Sequence, residues 1–113
     1  MPLPKFNPDM EAGDADALIE QARQASDLLK ALSHETRLLI LCILSEGEKS
    51  VSELEEILSM PQAAVSQQLA RLRFDRLVNT RREGRMIYYS VAGKEVSSVV
   101  ETLYELFCRP VRN

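Results

Sequence analysis

Histidine occurs once and cysteine twice in this chain of 113 residues, and glycine only four times. Each scarcity removes a class of chemistry. Two thiols and one imidazole fall short of a four-ligand zinc site. The scattered glycines form no loop of the kind that cradles phosphates, and no acid/base or Cys/His constellation can be assembled from the sequence. The chain is therefore not expected to be an enzyme, and no cofactor or metal is expected. The only long apolar run, Leu38–Leu44, is far short of a membrane span. The opening MPLPKFNPDM lacks the basic-then-apolar layout of a secretory signal. No internal repeat or low-complexity segment occurs. A cytoplasmic protein is the expectation. There thiols stay reduced by default, and a bond between them is regulatory more often than structural.

What is present suits one compact domain with a modest core, to which a partner subunit could add. Apolar residues make up 45% of the chain and charged residues 27%. The net charge of −3 is unevenly spread. Residues 62–85 carry six arginines (71, 73, 76, 81, 82 and 85) against only Asp75 and Glu83. An acidic chain with one arginine-rich window points to a localised contact with something anionic. A solvated charged face is the plainer alternative.

Hydrophobic spacing divides the chain into elements. Leu18, Ala22, Ala25, Leu29 and Leu32 predict an amphipathic helix over 14–32. Ser33 is the expected cap of a second helix, from Glu35 to about Ser45, which is apolar all round from Leu38 to Leu44 and so suits a buried position. Ser50-Val51-Ser52-Glu53 has the form of a capping box. It opens a short helix with Val51, Leu54, Ile57 and Leu58 inward. Pro61 suits the first turn of a fourth helix, whose buried stripe is Val65, Leu69 and Leu72. Residues 78–83 and 85–91 then alternate as strands about a turn at Glu83-Gly84. A last helix is expected from Glu95 to about Cys108, with Val96, Val99, Val100, Leu103, Leu106 and Phe107 on its apolar face and Pro110 limiting its continuation. A flexible tail over 1–13, a winged helix-turn-helix over 14–110 and a short tail over 111–113 complete the expected organisation. The fold class is mainly α with a small β-hairpin.

In the fourth helix, turning Val65, Leu69 and Leu72 inward puts Ala63, Gln67, Ala70 and Arg71 outward, with Gln62 and Ser66 on the flank. Small residues admit close approach, and Gln and Ser can bond base edges in a major groove. Arg81, Arg82 and Arg85 cluster at the hairpin tip, where a wing would meet phosphates or a minor groove. The pair of features favours double-stranded DNA as the partner. A winged-helix module that binds protein is the alternative of another class.

The stretches ALSHETRLLILCIL, VSELEEILSMPQAAVSQQLARLRFDRLV and TRREGRMIYYSVAG together resemble the ArsR/SmtB family of winged-helix repressors, over roughly residues 25–108. The resemblance implies a homodimer built from the first and last helices, bound to an inverted-repeat operator with the 62–73 helix in the major groove. Where the metal-sensing pattern of the family has Cys-Val-Cys, this chain has Ser50-Val51-Ser52, and hydroxyls are poor ligands for soft metals. The second family metal site would fall near Gly93, Glu95, Leu106 and Arg109. The lone His34 reads as a turn or cap residue.

Cys42, in the apolar second helix, reads from its surroundings as a core thiol. Cys108 lies about 140° from the stripe centred near Leu103, beyond Tyr104 and in the final turn, where a core role is less natural. The resemblance adds a different reading. In the persulfide-responsive (SqrR/BigR-like) branch of the family, one cysteine lies in the second helix and one at the end of the last. Cys42 and Cys108 match both, which implies a sensing pair bridged by reactive sulfur species. A general oxidant or another ligand remains an alternative signal.

Overall fold

The computed structural model describes Pro8 and residues 11–112; most of the expected tail over 1–13 lies outside them, and the first helix begins at Ala12, two residues before the expected start. The chain falls into two compact units, one ending at Lys30 and one running from Ala31 onward. The first is most of helix α1 (Ala12–Leu32), with Asp14 in its first turn and an exposed Arg23–Glu20 ion pair.

In the second unit the order is α2 (Glu35–Leu44), β1 (Lys49–Ser50), α3 (Val51–Leu58), α4 (Gln62–Phe74), β2 (Val78–Glu83), β3 (Met86–Val91) and α5 (Lys94–Leu103). A π-helical turn (Tyr104–Cys108) and a last helical turn, α6 (Arg109–Arg112), follow. The core is formed by Ile40, Leu41, Leu54, Val65, Leu69, Leu72 and Val100, none more than 1% exposed. Ile40 and Leu41 come from α2, and the others are inward positions that helical spacing selects on α3, α4 and α5. Strand order is β1-β3-β2, all antiparallel. The two-residue strand β1 has no signature in the sequence, because only its pairing with Tyr88 and Tyr89 makes it a strand.

The capping box forms as expected: Glu53 N–H donates to Ser50 Oγ at 3.2 Å, and Ser50 N–H to Glu53 Oε1 at 3.0 Å. Several expectations are corrected. The cap of α2 is His34, not Ser33; its Nδ1 accepts from Thr36 N–H at 3.2 Å. Helix α2 is not buried all round, for Leu39 is 44% exposed. On α3 Leu54 is buried but Ile57 is 52% exposed, because an eight-residue helix turns only a narrow face to the core. Strand β3 starts at Met86, and Gly84 takes the turn with φ 62°, the left-handed region glycine favours. Met86 and Ile87 are both exposed, because the hairpin tip projects beyond the core and neither face is covered.

The end of the chain differs most. Leu106 and Phe107 stay exposed, and the helix continues past Pro110 to Arg112, so residues 111–112 are not a tail. Arg109 N–H reaches back five residues to the Tyr104 carbonyl, as in a π turn, and a new turn begins there. Pro110 stands in the first turn of α6, where a missing N–H costs little.

Candidate nucleic-acid interface and thiol pair

Helix α4 is held from behind. Arg37, on α2, donates through Nε to the Ala31 carbonyl at 2.8 Å and through Nη1 to Gln68 Oε1 at 3.2 Å. That latch ties the start of α2 to the flank of α4. The apolar pattern could not reveal it, since it joins polar groups 31 positions apart in sequence. With Val65, Leu69 and Leu72 buried, Gln62, Ala63, Gln67 and Arg71 are exposed and Ser66 is half-buried. The structure thus gathers these five residues on one face, as the helical step demands. Arg71 donates through Nε to Asp75 at 2.9 Å, which holds its guanidinium towards the end of the helix.

The hairpin β2–β3 carries Arg81, Arg82 and Arg85, all exposed. They do not share one environment. Arg81 is bonded to Glu48 and Glu83, while among the described residues neither Arg82 nor Arg85 has an ion-pair partner. The Arg81 bond holds the Glu48 carboxyl below its ordinary range, and the two carboxylates raise Arg81 above its own. Arg109 is likewise raised, by its bond to Glu105 at 2.7 Å. The surface that faces outward from α4 and the hairpin tip is therefore polar, arginine-bearing and close to small residues, a combination suited to a duplex groove and its phosphates.

The soft-metal position that the resemblance places at the start of α3 does not fit a metal here. Its residues are hydroxyls, and the Ser50 oxygen already accepts the Glu53 N–H.

Both cysteines are free thiols. Cys42 is 3% exposed in the last turn of α2, and Cys108 is half-buried at the end of the π turn. They line one cavity of about 500 Å³ with Leu39, Ile43, Ile57 and Phe107. Burial pushes the Cys42 thiol up to about 12, and the neighbouring Cys108 side chain adds to the rise. A regular α-helix would carry Cys108 about 140° round from Leu103. In the wider π turn the same five steps pass less far beyond one revolution, so Cys108 lies closer to the Leu103 face than a regular helix would put it, and it lines a cavity with residues of α2. No periodicity argument could find this, because nothing in YELFC marks a π turn.

Comparison with known proteins agrees with this architecture. The model of the family "Bacterial regulatory protein, arsR family" matches residues 34–80, from the cap of α2 into β2. The biofilm growth-associated repressor of Agrobacterium fabrum is 42% identical over 97 residues, covering 86% of this chain and 83% of its own. The transcriptional activator HlyU of Vibrio cholerae is 43% identical over 101 residues, covering 89% and 86%. A solved structure of reduced HlyU from Vibrio cholerae N16961 superposes with a TM-score of 0.79, over 82% of this chain and 98% of that one. Similarity at this level across nearly the whole winged-helix architecture shows that the chain belongs to the arsR family of bacterial regulatory proteins.

Proposed function

We propose that the chain is a homodimeric repressor in the cytoplasm, one that occupies operator DNA while its thiols are reduced and leaves it when reactive sulfur species bridge Cys42 to Cys108. The placement of both thiols on one cavity between α2 and the π turn carries this reading. Gln62, Ala63, Ser66, Gln67 and Arg71 would face the major groove, with Arg82 and Arg85 on phosphates. The relatives include both a repressor and an activator, so repression rests on the repressor relative.

The chemistry divides the thiols by role. Cys108, the more accessible, is the nucleophile. Its thiolate attacks the terminal sulfur of a persulfide RSSH and expels the thiol RS⁻, leaving Cys108-S-SH. Cys42, once deprotonated, attacks the Cys108 sulfur and releases HS⁻, forming a disulfide. If both cysteines are first persulfidated, Cys42-S-S⁻ displaces HS⁻ from Cys108-S-SH and a trisulfide results. Either bridge joins α2 to the last helix, the element through which two protomers would pair. Two recognition helices must meet grooves about 34 Å apart, so a small change in their presentation lowers affinity. A coupling of about 1–3 kcal/mol gives a usable switch.

The test is duplex binding by fluorescence anisotropy before and after a persulfide donor, with intact mass measured on the same samples. Affinity should fall together with an intramolecular disulfide or added-sulfur mass, and Cys108→Ser should show neither. Hydrogen peroxide as a parallel treatment separates a sulfur-specific sensor from a general oxidant sensor. Unchanged affinity with a bridge present by mass would sink the reading.

A further inference from the structure

Arg81 is engaged in a way that Arg82 and Arg85 are not. Glu48 takes its Nη2 at 2.6 Å and its Nε at 3.2 Å, a side-on bidentate pair. Glu83 takes Nη1 at 2.7 Å, and the guanidinium lies over the Tyr88 ring, 4.7 Å from its centroid. Two carboxylates around one guanidinium leave the group negative, which repels a phosphate.

The register explains how these side chains meet. Arg81 is opposite Tyr88, and Tyr88 is opposite Ser50, so the three form a row across all three strands. Glu48 lies two residues before Ser50 and Glu83 two after Arg81, which puts them on the same face. Ser50 is also the N-cap of α3, so the segment that Arg81 grips leads directly into the helix-turn-helix.

We propose that Arg81 is a positioning residue for the wing. Through Glu48 it locks the β2–β3 hairpin to the strand that enters α3, and so fixes where Arg82 and Arg85 stand relative to the outer face of α4, without itself binding phosphate. The proposal rests on DNA binding by α4 and the hairpin. A single exposed ion pair contributes little, whereas a bidentate pair within a network and under a ring can hold a geometry.

The probe is a duplex of about 30 base pairs, long enough for two half-sites, enriched from a random pool by the wild-type protein. Its affinity is measured against salt concentration for the wild type, Arg81→Ala, Glu48→Ala, Arg82→Ala and the charge swap Arg81→Glu with Glu48→Arg. Arg81→Ala and Glu48→Ala should each weaken binding about tenfold with an unchanged salt slope, and the swap should restore most of it. Arg82→Ala, the phosphate reference, should lower the slope by about 0.9. Glu48→Ala decides the matter, since removing a negative charge beside the wing strengthens any purely electrostatic contact. Tighter binding by Glu48→Ala, or a slope loss in Arg81→Ala equal to that of Arg82→Ala, overturns the proposal. Should Arg81→Ala fail to fold, Glu48→Ala and the swap carry the same contrast. Failure of the wild type to enrich any duplex overturns the DNA reading, and this one with it.

Discussion

Cys42 shows how far a single residue can be read from its neighbours. Its apolar helix suggests a core thiol, and it is one, buried and raised to about 12. Its other role depends on Cys108, 66 positions along the chain, which no local pattern can bring close. The raised value has two consequences. At pH 8 Cys42 should react with iodoacetamide at least about a hundredfold more slowly than a free cysteine, because so little thiolate is present. Mass mapping of a brief reaction should find Cys108 modified first. The second concerns stability. The folded chain keeps the Cys42 proton at pH values where the unfolded chain, near 9, has lost it. The stability this contributes is complete below pH 9 and is lost as pH rises from 9 towards 12. Denaturation of the wild type should therefore become easier across that window by more than in Cys42→Ala, and parallel pH curves would contradict the assignment.

Among the elements, α3 and α4 were legible because capping and burial there are local. Ser50 and Glu53 lie one turn apart, and Val65, Leu69 and Leu72 follow the helical step without interruption. The irregularity of the last helix is not legible, because a π turn leaves no mark on composition. It has a testable consequence. Deleting the exposed Glu105 lets the turn relax to α-helix, and four regular steps then put Cys108 about 40° from Leu103. The deletion should preserve oxidation to an intramolecular disulfide, seen as loss of two hydrogens by mass under diamide. Inserting an alanine at the same place should abolish it. If the deletion also prevents the bridge, the π turn does not set the position of Cys108.

At the scale of the whole molecule, exposed apolar side chains point beyond one chain. Leu106, Phe107 and Val111 on the last helical segments are 63%, 69% and 84% exposed, more than a lone chain gains by leaving in water. In the proposed homodimer they lie at or beside the shared face. Leu106→Asp should shift the protein from dimer to monomer in sedimentation and weaken duplex binding at least tenfold, since one half-site engages alone. A dimer that survives Leu106→Asp together with Phe107→Asp would place the interface elsewhere.

The amino-acid sequence by itself determined the order of the helices up to α5, the capping box, the hairpin and the polar face of α4. Each follows from residues within a turn or a strand pair of one another. Only the tertiary structure decided that β1 is a strand, that Arg37 latches α4, that Arg81 is held by carboxylates from two segments, and that Cys108 turns back to Cys42. All four depend on groups brought together across the fold, and hydrophobic period carries no information about which distant polar or thiol groups will meet.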